Sequence, residues 1–318
     1  MFWCRCFLIV RSPIATQRPQ LTGSLLGVLF PSLVLLLVVS AASGIRPGAP
    51  AILVLLVAGV VVLGLPHGAL DPLVAAQIWG SRPHFTMIRF LLVYIAVAAF
   101  CAAIWISIPT AALVGFLSIS AYHFGSDWNG RSSAWGQSAF GIAIVTVPTL
   151  CKGPQVEEIY RQLGASFVHQ LVAVSQVLAV VAVAGALFAA LPRSKFQSSN
   201  LVEILTVVVG GLFLPPLLFF TCYFCLLHSP RHLMQTARTL GLRGLQEIVR
   251  SAAPTVLATL LLAAGLWRFL PSSVYSEKMI QLVFIGLAAL TAPHMLLTEF
   301  SLRRSFLPLS VSAGTETH

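Results

Sequence analysis

Charge is what this chain has least of. Asp, Glu, Lys and Arg make up 9% of its 318 residues, and only nine are acidic. A soluble domain carries about 25%, so this chain cannot build a water-soluble surface. Also missing are a glycine-rich phosphate loop, a nucleophile elbow and a paired-carboxylate pattern, so nothing points to the chemistries those motifs serve. Cysteine is sparse. Cys222 and Cys225 form a C-x-x-C pair with no second pair to complete a zinc site, and with Cys101 they lie in apolar runs where a thiol packs as a small hydrophobe. The net charge of +10 comes from residues scattered singly through short connections. With no basic stripe or basic helix, nucleic acid is excluded as a partner, and such residues instead set membrane topology. The opening "MFWCRCFLIVRSPIATQRPQ" has an apolar patch too short to cross a bilayer and no small-residue cleavage site, so it is not read as a signal peptide.

What is present is apolar length. Hydrophobic residues account for 58% of the chain, and a bilayer core of about 30 Å needs about 20 helical residues. Apolar runs at 24–42, 50–68, 87–107, 109–125, 169–191, 201–226, 252–270 and 279–298 predict an all-α, polytopic transmembrane bundle of about eight spans. An extra short apolar segment at 136–150 is closed by Pro148 and reads as re-entrant, interfacial or packed inside the bundle. Pro215 and Pro216 should kink the sixth run. The expected organisation is an N-terminal tail at 1–23, one helical domain at 24–299 and a C-terminal tail at 300–318. With eight spans and the N-terminus inside, most of the 19 basic residues fall on the cytoplasmic side; counting 136–150 as a ninth span divides them almost evenly.

Four of the apolar runs end in histidine: "LGLPHGALDP", "SAYHFGSDW", "FCLLHSPRH" and "LTAPHMLLTE". In the eight-span arrangement His67, His123, His228 and His294 all end runs at the cytoplasmic face; nine spans would put the first two groups and the last two on opposite faces. A polar side chain inside a bundle is costly and marks a functional site by default. His84, His169 and His318, in loops or the tail, read as ordinary polar positions. In "HSPRH", Ser229 is expected to cap a helix starting at Pro230, bringing His228 and His232 towards one point. Arg231 between them is expected to face solvent or a lipid phosphate. Imidazoles from several elements make a metal site that suits zinc, copper, iron or nickel. Asp71, four residues after His67, and Asp127, four after His123, stand where carboxylates could orient the ligating rings. Glu299, five after His294, has a weaker claim. Tyr122, Phe124, Trp128, Phe219, Phe220, Tyr223 and Phe224 read as cavity walls or an interfacial aromatic belt.

In this order, "PHGALD", "YHFGSDW", "FCLLHSPRH" and "APHMLL" resemble the Brp/Blh family of bacterial and archaeal β-carotene 15,15′-dioxygenases, over residues 55 to 300. The resemblance implies a multi-pass enzyme of the bacterial inner membrane, with non-haem Fe(2+) held by His67, His123, His228 and His232 on the cytoplasmic side. His294 is expected to orient a ligand or line the cavity. The implied reaction is cleavage of the central double bond of β-carotene with O2, giving two all-trans-retinal molecules and a functional link to a retinal-binding rhodopsin. The competing readings are a histidine-rich transporter of divalent metal and a haem-binding electron carrier. A transporter would place its polar groups at the bilayer midplane, and here they cluster at run ends.

Overall fold

A computed structural model describes residues 22–79, 83–191, 198–270 and 272–305. The tails expected at 1–23 and 300–318 fall mostly outside these residues. The architecture is all-helical, with no strand among the described residues: α1 (Thr22–Ala42), α2 (Ala49–Gly59), α3 (Leu65–Gly68), α4 (Asp71–Trp79), α5 (Pro83–Ser107), α6 (Pro109–Gly125) and α7 (Ala134–Thr146). They are followed by α8 (Pro148–Gln162), α9 (Val168–Ala190), α10 (Ser198–Phe213), α11 (Pro216–Tyr223), α12 (Ser229–Thr239), α13 (Leu245–Leu266) and α14 (Tyr275–Ser305).

Six described helical segments are long and apolar enough to cross a membrane: Leu25–Ala42, Ala49–Trp79, Met87–Ser107, Val168–Ala190, Leu245–Phe269 and Tyr275–Ser301. All but the last are largely exposed, as lipid-facing helices are: Leu92, Val93 and Ile95 in α5, and Val177, Val180 and Val181 in α9, all lie on the outside. The count reaches seven if α7 and α8, bent by 49°, form one broken span. The expected run at 136–150 is therefore divided between two helices, and eight straight spans are not found among the described residues. The run at 201–226 is broken at Pro215, which has extended backbone between α10 and α11 (φ −56°, ψ 140°). Each piece alone is shorter than a bilayer requires.

The innermost packing is close. At Gly141 in α7, an added Cβ would lie 1.8 Å from the Ala121 carbonyl oxygen of α6, so only glycine permits this helix contact. The main core is aromatic and aliphatic, centred on Phe30, Leu56, Trp128, Phe140, Ile204, Phe219 and Tyr223. A smaller cluster of Ala69, Leu70, Ala237, Leu240 and Ala252 packs α12 and α13 against the turn after α3.

Two π-helical turns interrupt the bundle, at Val60–Gly64 between α2 and α3 and at Phe224–His228 between α11 and α12. In both, a proline follows two residues after the turn: Pro66 and Pro230. A proline ring clashes with the carbonyl four residues earlier, here Val62 or Leu226, and a widened turn relieves that clash. The two turns touch at Gly64, where a Cβ would approach Phe224 Cε1 to 2.8 Å.

Candidate metal centre

Both π turns lead into histidine. His67 follows the first on α3, and His228 closes the second, with His232 one turn on in α12. His123 lies in the last turn of α6, and His294 lies within α14. These five residues, from four distant stretches of chain, form one cluster. Neighbouring ring centroids are 4.6 Å apart for His123 and His228, 5.1 Å for His123 and His232, 5.3 Å for His67 and His294, and 5.8 Å for His67 and His228. The arrangement in which the motifs open onto opposite faces is thereby excluded.

The hydrogen bonds orient the rings. His67 Nδ1–H donates to the Gly64 carbonyl of the first π turn. His228 Nδ1–H donates to Asp127 Oδ2 at 3.2 Å, and His294 Nδ1–H reaches both carboxylate oxygens of Asp71 at 2.9 Å. An oxygen acceptor at Nδ1 fixes the tautomer and leaves the Nε2 lone pair free, as a metal-ligating histidine requires. His123 Nε2, His228 Nε2, His294 Nε2 and His232 Nδ1 are buried without a hydrogen-bond partner. A buried, unpaired ring nitrogen is costly, and four in one cluster call for a shared acceptor of lone pairs. One ligand atom each from His67, His123 and His294 lies within 4.8 Å of the others. Two nitrogens on one ion at about 2.1 Å stand no more than about 4.2 Å apart, so this trio is within a small adjustment of closing on a metal. The all-imidazole donor set fits a first-row transition metal.

The two aspartates do orient cluster histidines, but not those beside them in sequence. Asp71 serves His294 instead of His67, and Asp127 serves His228 instead of His123. Each lies beyond the end of the helix that carries the neighbouring histidine, where the chain has turned, so an offset of four no longer means one helical face. Asp127 also accepts the Tyr223 hydroxyl at 2.5 Å.

Other expectations need correction. Ser229 caps no helix: its Oγ is buried without a partner, and the chain runs helically through His228. Arg231 turns mainly inward and donates to Glu203 Oε1 at 2.8 Å. Tyr122 is 65% exposed, with its hydroxyl 3.5 Å from Glu299, as suits an interfacial aromatic residue. Phe124 packs edge-on against His228 at 4.8 Å, Phe224 edge-on against His67 at 5.6 Å, and buried Tyr223 lies parallel to His228.

Sequence reasoning missed Glu203 and Tyr94. Glu203 is buried and accepts bonds from Trp128 Nε1, Arg131 and Arg231; Tyr94 donates to Asp71 Oδ2 at 3.0 Å. The available signal for Glu203 was an isolated acid inside the apolar stretch "NLVEILTVVV".

Beside the cluster is a small apolar cleft of about 100 Å³, part of it open to the exterior, with walls that include Phe116, Phe124, Phe219, Phe220, Tyr223 and Phe284. Ser120 and Tyr160 are its few polar contributors. Phe116, Ser120, His123 and Phe124 recur at helical spacing on α6, so one helix face carries both cleft wall and cluster imidazole.

Residues 58–301 match the family model described as beta-carotene 15,15′-dioxygenase. The chain belongs to this family. It is 32% identical over 256 residues to a beta-carotene 15,15′-dioxygenase of uncultured marine bacterium 66A03, covering 77% of this chain and 92% of that protein. It is 27% identical over 289 residues to a probable beta-carotene 15,15′-dioxygenase Blh of Halobacterium salinarum, covering 76% and 81%. No solved structure matches. Family membership makes the chain a carotenoid dioxygenase, and its apolar helices make it a multi-pass membrane protein.

Proposed function

We propose that this chain cleaves the central 15,15′ double bond of β-carotene with O2, releasing two molecules of all-trans-retinal. One C=C and one O–O linkage break while two C=O bonds form, so atoms balance with no external reductant or proton. The observation that carries the reading is the set of converging imidazoles whose free nitrogens are buried without partners beside an apolar cleft.

His67, His123, His228 and His232 are the residues we assign to hold Fe(2+). When bound, the iron supplies the activation of dioxygen that side chains alone do not provide. The protein's own contribution is positional. Gly64 and Asp127 fix the tautomers of His67 and His228. The apolar cleft excludes water and aligns a substrate that has no charged handle and many similar double bonds. An opening onto lipid lets the polyene enter from the bilayer. In a bacterial inner membrane with the N-terminus inside, the centre lies towards the cytoplasmic side, where retinal can pass to a rhodopsin.

The test is expression in a β-carotene-producing bacterium, with extraction of retinal. Bleaching and retinal are expected from the wild type. His67→Ala, His123→Ala, His228→Ala and His232→Ala should each abolish retinal and lower bound iron. Coloured cells with the wild-type protein verified in the membrane would refute the reaction. Undiminished activity in any two variants would refute the ligand set.

A further inference from the structure

We propose that His294 is a fifth imidazole ligand of the same centre and that Asp71, steadied by Tyr94, is its positioning residue. This rests on the metal-centre reading above and extends it to α14, which carries none of the four ligands assigned there.

Three observations converge. First, His294 belongs to the trio whose ligand atoms already lie within 4.8 Å of one another, together with His67 and His123. Second, its Nε2 is buried without a partner while Nδ1 is held at 2.9 Å by both oxygens of Asp71. A residue that only lined the cavity would gain nothing from having its outer nitrogen pinned by a carboxylate and its inner one left bare. Third, Asp71 is itself held. It is 2% exposed, and Tyr94 Oη donates to its Oδ2 at 3.0 Å while lying 3.4 Å from the Leu290 carbonyl, one helical turn before His294. Tyr94 thus ties α5, α4 and α14 together at the point that sets the ring's direction. This repeats the unit on the far side, where Tyr223 and His228 share Asp127. A carboxylate donating negative potential to one ring nitrogen raises the basicity of the other, which makes it a better ligand. Five imidazoles leave one position on a six-coordinate ion for a small molecule, so the polyene would approach the centre without binding to it.

The experiment titrates full-length, metal-free protein in detergent with Co(II), reading affinity and the visible ligand-field bands. His294→Gln is expected to weaken Co(II) binding at least roughly 10-fold and to change band intensity, because coordination number falls. Asp71→Asn keeps the imidazole and should weaken binding by a similar or smaller factor with a smaller band shift; Asp71→Glu should recover part of it. Wild-type affinity and bands in His294→Gln would overturn the ligand role even if retinal formation were lost. Should that variant fail to fold, unchanged affinity and bands in Asp71→Asn would overturn the proposal. A wild-type protein that takes up no Co(II) would sink the metal-centre reading itself, a result distinct from failure of His294 alone.

Discussion

The histidine cluster is supported from two sides, and the two supports differ. On one side Asp127 holds His228 and Tyr223, and behind it buried Glu203 gathers Trp128, Arg131 and Arg231, while Arg131 also donates to the Asp127 carbonyl. Asn200 reaches the Arg131 carbonyl as a further tie. On the other side Asp71 holds His294 and is supported by Tyr94 of α5, a helix that faces outward over most of its length. The same carboxylate–imidazole unit is thus built once into a charged, cross-braced core and once near the bundle's edge. The first should govern whether the protein folds, and the second how the finished centre binds.

Removing the acid at the hub should have the largest effect. Glu203→Ala leaves two guanidinium groups and an indole N–H without their shared acceptor in a nearly closed site, which costs about 3–5 kcal/mol. The expected outcome is a large fall in detergent melting temperature; a melting temperature within a degree of wild type would make the two sides equivalent. Gly64→Ala should come next. Its methyl would meet Phe224 at 2.8 Å where the π turns cross, and overpacking of this kind costs about 1–3 kcal/mol. Both His67 and His228 would be displaced, so metal content should fall more than stability. Asp127→Asn should weaken metal binding roughly 10–100-fold and also lower the melting temperature, whereas Asp71→Asn should change binding with little thermal effect. Equal thermal effects would erase the distinction. Tyr94→Phe should be the mildest, because it removes one neutral donor worth about 1 kcal/mol. The corresponding Tyr223→Phe, at a fully buried position, should cost more.

Much of the centre was legible as sequence because histidine is conspicuous at the end of an apolar run. His67, His123, His228 and His232 required no structure to nominate. Which carboxylate serves which ring did require one: Asp71 and His294 are 223 positions apart and Asp127 and His228 are 101, and local spacing carries no information on such pairs. Of the two readings open for Tyr122, cavity wall or interfacial belt, its exposure favours the second. Consecutive helical residues point about 100° apart, so a neighbour of an inward-facing histidine need not face inward itself. The span count was obscured by the chain's own breaks at Pro148 and Pro215, which divide apolar runs into helices too short to cross alone. Glu203 looked like one stray charge, since nothing local announces that two arginines 72 and 28 positions away will close on it.

The paired π turns carry a consequence for how such a protein can change. Each holds one residue more than an α-helical turn would, so excising that residue would tighten the turn to α geometry and leave the helix beyond close to its present phase. The same deletion elsewhere in these helices would turn everything beyond it by about 100°, and imidazoles now aimed inward would sweep out towards the membrane. A lineage of these chains can therefore lose a residue at these two places more safely than along the helices that flank them.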